Sequence, residues 1–160
     1  MARMKNVLIL GIGNLVLNDA GVGIHIIHML KSMSMPDDVD LLDGGTDTVK
    51  LLDTMQQYKH LILIDAAIDN NPPGTVQRLS PRISTDYPQL FNNHHNNLYD
   101  IIAALNHCNQ VPSVELLAIS VSNNPTIGVQ LSPEVRRVIP QVMQLIFEIL
   151  DDMHRTRYYR

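Results

Sequence analysis

Apolar residues along this chain fall into short unbroken runs and longer periodic stretches, and the two alternate. Val7-Leu8-Ile9-Leu10 is a run closed by Gly11, as expected of a strand buried on both faces in a parallel sheet. From Asp19 onward, Val22, Ile26, Ile27 and Leu30 recur at helical spacing, with Asp19 as the expected N-cap. Val39 to Leu42 predicts a second strand, broken by Asp43-Gly44-Gly45-Thr46. Val49, Leu51, Leu52 and Met55 then predict a helix capped by Thr46.

Leu61-Ile62-Leu63-Ile64 predicts a third buried strand ending at Asp65. Gly74 to Leu79, entered through the turn Pro72-Pro73-Gly74, predicts a further strand lying antiparallel to its neighbour. A helix is expected over Leu98–Leu105, a strand over Val114–Ser120 and a closing helix over Glu134–Met153, with Pro140 kinking it or sitting in its first turn. Strands alternating with helices give an α/β fold: a three-layer sandwich with a largely parallel central sheet flanked by helices and one antiparallel neighbour strand. No repeat or linker divides residues 1–160, so one domain is expected.

Composition narrows the function classes. Hydrophobic residues make up 45% and charged residues 18%, a globular balance. The formal charge of −4, with no stripe of Lys or Arg, gives no support for nucleic-acid binding. Cys108 is the only cysteine and cannot form an internal disulfide, and the apolar stretch from Val7 to Ile12 is too short for a signal core or a membrane span. A cytoplasmic protein without membrane insertion is expected.

In open α/β sheets, ligands bind beyond the carboxyl ends of the strands. The loops Gly11 to Gly23, Asp43 to Thr46 and Asp65 to Ala67 should therefore share one edge. Gly11-Ile12-Gly13 opens like a dinucleotide fingerprint, but the third glycine of that pattern falls on Val16, which disfavours a nucleotide. Asp65 is placed where the core opens to the crevice, able to face a ligand; capping of the next turn is the structural alternative. His94 and His95, in Asn92-Asn93-His94-His95-Asn96-Asn97, suit nickel or zinc together with a carboxylate, or are simply exposed. Cys108 beside His107 is a poor nucleophile and base, because adjacent residues at a helix end rarely face one another. The eight Met residues fit gap-filling better than a metal relay. His25, His28 and His60 are expected to be structural or exposed.

Gly11-Ile12-Gly13-Asn14, the acidic position Asp19, Gly21 and Gly23, the turn Asp43-Gly44-Gly45-Thr46, then Asp65 and His94 resemble, in order and approximate spacing, the motifs of the NiFe-hydrogenase maturation endopeptidases. The similarity runs from Val7 to about Ile146. It implies a monomeric, nickel-dependent processing endopeptidase that removes the C-terminal extension of a NiFe-hydrogenase large-subunit precursor after nickel insertion, the nickel being supplied by the precursor. Matched onto the family's metal site, Asp65 and His94 inherit two ligand roles. The third belongs to the second residue of an acidic pair, which here is Ala20; Asp19, a substrate cysteine or water is left to complete the coordination sphere. Asp19 is also the candidate for taking a proton, and impaired processing is the other outcome that Ala20 implies. A non-catalytic metal- or precursor-binding maturation protein of the same fold is the alternative that Ala20 leaves open. Neither a Ser-His-Asp set nor a His-Glu-x-x-His helix is present.

Overall fold

The unbroken apolar runs do become buried strands. In a computed structural model describing residues 5–47, 49–80, 96–108 and 110–158, they form one five-stranded sheet of β1 (Lys5–Gly11), β2 (Val39–Asp43), β3 (Tyr58–Ala67), β4 (Val76–Leu79) and β5 (Ser113–Ser120). Its order is β2-β1-β3-β5-β4. All neighbours run parallel except β4, which is antiparallel to β5. The single antiparallel strand is the one entered through the proline turn, where Thr75 N–H and Oγ1 both donate to Pro72 O and Gly74 adopts φ +87°. At that edge, Arg78 Nε lies 3.0 Å from Glu115 Oε2 and ties β4 to β5.

Side chains alternate between two cores because successive strand residues face opposite ways. Val7, Ile9, Ile62, Ile64, Leu117 and Ile119 pack under helices α1 (Val22–Lys31) and α4 (Pro133–Tyr158). Leu8, Leu10, Leu61, Leu63 and Leu116 pack on the other side, under α2 (Leu52–Met55) and α3 (Asn96–Leu105). Among the described residues, no helix is long and apolar enough to cross a membrane.

Several local expectations are corrected. Asp19 does not cap α1: a 3-10 turn over Asn18–Gly21 intervenes, Gly21 takes the N-cap position, and no side chain caps that end. The helix after β2 shrinks to one 3-10 turn and the four residues of α2, whose N-cap is Leu51; Thr46 lies too far upstream to serve. Strand β3 continues past Asp65 to Ala67, because Asp65, Ala66 and Ala67 keep pairing with Ala118, Ile119 and Ser120 of β5. Pro140 lies inside α4 on its exposed side, beyond the first turn, so the first-turn alternative falls.

The sheet order sets the functional edge. From β1 the chain crosses to β2 on one side and then returns over β1 to β3 on the other. The point of reversal therefore lies between β1 and β3.

Candidate functional site at the carboxyl edge of the sheet

Backbone hydrogen bonds draw the loops after β1, β2 and β3 together at that point. Ile12 N–H donates to Ile64 O at 2.9 Å, Gly44 N–H to Gly11 O at 2.8 Å, and Gly13 N–H to Gly45 O at 3.1 Å. Glycine is required where the backbones approach most closely. A Cβ on Gly23 would lie 2.3 Å from Ile64 O, so only glycine lets the start of α1 sit against β3. Gly13, at φ +149°, would place a Cβ 2.1 Å from Ala20 O. The expected sharing of one edge by the three loops is thus met.

The first loop is organised by its own asparagine. The Asn14 side chain accepts from Val16 N–H, its carbonyl accepts from Leu17 N–H, and its N–H donates to Ala20 O, folding Leu15 to Ala20 into a tight lip. Asp19 Oδ1 accepts a 2.6 Å hydrogen bond from Ser132 N–H. Ser132 in turn caps α4, its Oγ accepting from Val135 N–H ahead of Pro133 in the first helical position. The first-loop acid therefore anchors the start of the closing helix. Ala20, beside it, lines a cleft of about 50 Å³ with Asp19, Ile68, Val121 and Thr126.

Asp65 is in register with Ala118 and alternates with Leu63 and Ala67, so it faces the α2/α3 side of the sheet. It was expected at the opening of the crevice; instead it is fully buried within β3. Its Oδ1 accepts from Ala66 N–H at 2.8 Å, and among the described residues its Oδ2 has no hydrogen-bond partner. Burial raises its pKa well above the ordinary 3.8, and the single backbone donor offsets this only in part. A carboxylate so placed either keeps its proton or meets a cation, since an unpaired buried charge is costly.

His94 and His95 lie outside the described residues. Helix α3 begins at Asn96, immediately after them, and its C-terminal end feeds β5 at the amino edge of the sheet, so its start is directed toward the carboxyl edge that carries Asp65. Among the described residues, no three His, Cys, Asp or Glu side chains are grouped to hold an ion. Asp65 is nonetheless suited to one, because Oδ2 is a buried acceptor without a donor.

The remaining titratable groups serve the fold. Asp43 accepts from Gly45 N–H through Oδ1, while its Oδ2 lies 3.1 Å from His28 Nε2. His60 Nδ1 lies 2.6 Å from Ser113 Oγ. The His25 pKa is lowered, mainly by burial and then by His28, with partial relief from a hydrogen bond to the Val129 backbone. Cys108 Sγ lies 3.5 Å from Gln56 Oε1 and 3.7 Å from Ala104 O, contacts that do not involve His107. Asp69, which the sequence pattern did not single out, accepts from Ser120 Oγ and from Asn71, fixing the loop after β3. A cavity of about 460 Å³ lined by Lys59, His60, Arg78, Ser113 and Glu115 opens at the opposite edge of the sheet, away from these loops.

A family model described as "Hydrogenase maturation protease" matches residues 24–149. The Hydrogenase 2 maturation protease of Escherichia coli is 34% identical over 152 residues, covering 90% of this chain and 90% of that one. The solved structure of the Escherichia coli hydrogenase maturating endopeptidase HybD superimposes with a TM-score of 0.82 at 28% identity, over 92% of this chain and 93% of its own. A hydrogenase 2 maturation peptidase from a thaumarchaeon gives 0.70 at 28% identity, over 91% and 98%.

Proposed function

The chain belongs to the hydrogenase maturation protease family, and from that premise we propose that it is the endopeptidase that removes the C-terminal extension of a NiFe-hydrogenase large-subunit precursor after nickel insertion. The observation that carries the reading is Asp65: a fully buried carboxyl with one unpartnered oxygen, placed where the chain reverses direction across the sheet. Such a group, costly to bury as an unpaired charge, is suited to receiving a cation from outside.

In this reading the nickel arrives as part of the substrate, held by the precursor. Asp65, once deprotonated, would hold the ion through Oδ2, and His94, which precedes α3 in the sequence, would supply an imidazole nitrogen. An ion held there would supply Lewis acidity to the scissile carbonyl or to the attacking water. Asp19, held by Ser132 N–H, takes the proton of that water as the new C–O bond forms; the proton then passes to the amine released when the C–N bond breaks. Ala20 contributes no donor, so Asp65, His94 and Asp19 carry the metal and proton chemistry between them, and cleavage is slower than a carboxylate at position 20 would allow.

Selectivity follows from the same bond. A precursor without nickel has nothing for Asp65 to coordinate, and a deficit of about 3 kcal/mol separates the two forms by roughly 100-fold. The reading sets the reaction in the cytoplasm, with the protease acting as a monomer. A binding-only role is not favoured, because the relatives named above are described as proteases or peptidases.

Cleavage assays of Asp65→Asn and His94→Ala test the assignment. Each variant should cut a nickel-loaded precursor at least about 100-fold more slowly than the parent chain while keeping its circular dichroism spectrum. Parental rates in either variant would remove that residue from the mechanism.

A further inference from the structure

The loop after β5 is folded back over the first loop and held there more firmly than its exposure requires. Gly128 N–H donates to Val16 O at 2.9 Å, and Asn18 N–H donates to Gly128 O at 2.7 Å. The Asn18 side chain completes the strap: Nδ2 donates to Thr126 O and Thr126 Oγ1, and Oδ1 accepts from Gln130 N–H. Asn18 takes a left-handed φ of +46°, and a Cβ on Gly128 would collide with Asn18 Oδ1 at 2.4 Å. Two loops that are distant in sequence are thereby locked into one lip.

That lip turns its apolar side chains outward. Ile127 is 90% exposed, and Val16 and Val129 are each 56% exposed. From Val121 to Leu131 the chain carries no charged residue, in a protein that is 18% charged. The same turn that presents Val16 carries Asp19 and Ala20, so the patch is continuous with the wall of the candidate site.

Building on the peptidase reading, we propose that Val16, Ile127 and Val129 form the docking surface for the large-subunit precursor, engaging an uncharged apolar face that lies next to the segment to be cut. Three features argue for this occupant. The patch borders the acidic turn, so a chain delivered to Asp19 passes over it. The segment from Val121 to Leu131 that carries Ile127 and Val129 is uncharged, which disfavours a charged partner face. Its hydrogen-bonded strap fixes the apolar side chains before binding, which reduces the ordering cost of association. Ile127 is the anchor, since it has the most surface left to bury.

The test compares the parent chain with Ile127→Ser, Val129→Ser and, as a control on the opposite edge, Val111→Ser, a position that is 55% exposed. Kinetics on the nickel-loaded precursor, with cleavage read by mass and binding by biolayer interferometry, should show KM and Kd raised about tenfold by Ile127→Ser. Val129→Ser should act less strongly in the same direction, kcat should be unchanged, and Val111→Ser should have no effect. Circular dichroism should be the same for all four proteins.

If the parent chain cuts and Ile127→Ser keeps the parental KM and Kd, the docking surface lies elsewhere and the peptidase reading stands. If the parent binds without cutting and Ile127→Ser loses that binding, the docking surface stands and the peptidase reading fails. A parent that neither binds nor cuts overturns both. A parent that self-associates through Ile127, with precursor binding unaffected by the substitution, assigns the lip to a second copy of this chain and overturns the proposal.

Discussion

Replacing Asp65 by Asn should remove a pH-dependent weakness from the fold. Asn keeps the shape and the oxygen that accepts from Ala66 N–H, but it cannot ionise. In the parent, burial raises the Asp65 pKa well above its unfolded value of 3.8. The unfolded chain loses this proton as the pH rises through 3.8, whereas the folded chain retains it. Folding then takes up a proton, and stability falls with rising pH by about 1.4 kcal/mol per unit until Asp65 ionises within the fold. Below 3.8 both states are protonated and the contribution is constant.

As the pH rises above 3.8 the parent should therefore lose stability relative to Asp65→Asn, by at most about 1.4 kcal/mol per pH unit. For a chain of 160 residues that limiting slope is about 3 to 5 °C in melting temperature per pH unit. The unsatisfied amide N–H groups of Asn add a constant offset and leave the slope intact. Calorimetric melts of both proteins at half-unit steps from pH 4 to 6.5, with chelator present, isolate Asp65, because the other titrating groups are common to the pair. A difference that stays flat over this range, or that grows in favour of the parent as the pH rises, refutes the assignment of Asp65 as a buried carboxyl without a partner.

Other consequences are open to direct measurement. Gly23→Ala should cost about 3 kcal/mol in urea unfolding, since the added Cβ meets backbone oxygens of Ile64 and Ile12 at 2.3 and 2.8 Å; a cost below about 1 kcal/mol would show that α1 can move away. Asn18→Ala removes the side-chain strap and should destabilise by about 1 to 2 kcal/mol while speeding amide exchange at Gln130; unchanged exchange there would mean the lip holds without it. Ala20→Glu should raise the cleavage rate about tenfold by restoring a carboxylate beside Asp19, and a rate at or below the parental one would show that position 20 takes no part. Cys108→Ser should leave cleavage within about twofold of the parent, as its thiol hydrogen-bonds Gln56 and Ala104 and packs against the core; loss of activity would reinstate a cysteine nucleophile.

Much of this architecture was legible because buried parallel strands write themselves as unbroken apolar runs. Leu8-Ile9-Leu10 and Leu61-Ile62-Leu63 fixed the inner strands, and their order, with the Gly-rich breaks after β1 and β2, gave the shared edge. What the pattern hid was set by distant contacts. Asp19 reads locally as a helix cap, but its partner, Ser132, is 113 residues away. Asp65 reads as a strand end, because two alanines after it carry little apolar signal, yet pairing with β5 extends the strand and buries the carboxyl. Ile127 reads as an ordinary loop residue, since periodicity says nothing about which side of a loop faces water. His94 was identified by motif order, and it lies outside the described residues.

The most direct test is intact-protein mass spectrometry of a large-subunit precursor, nickel-loaded and nickel-free, each incubated with the parent chain. The expected result is loss of the mass of the C-terminal extension from the nickel-loaded precursor alone, with the nickel-free form left whole. Equal cutting of both forms would contradict recognition through the metal, and an uncut nickel-loaded precursor would contradict the peptidase assignment itself.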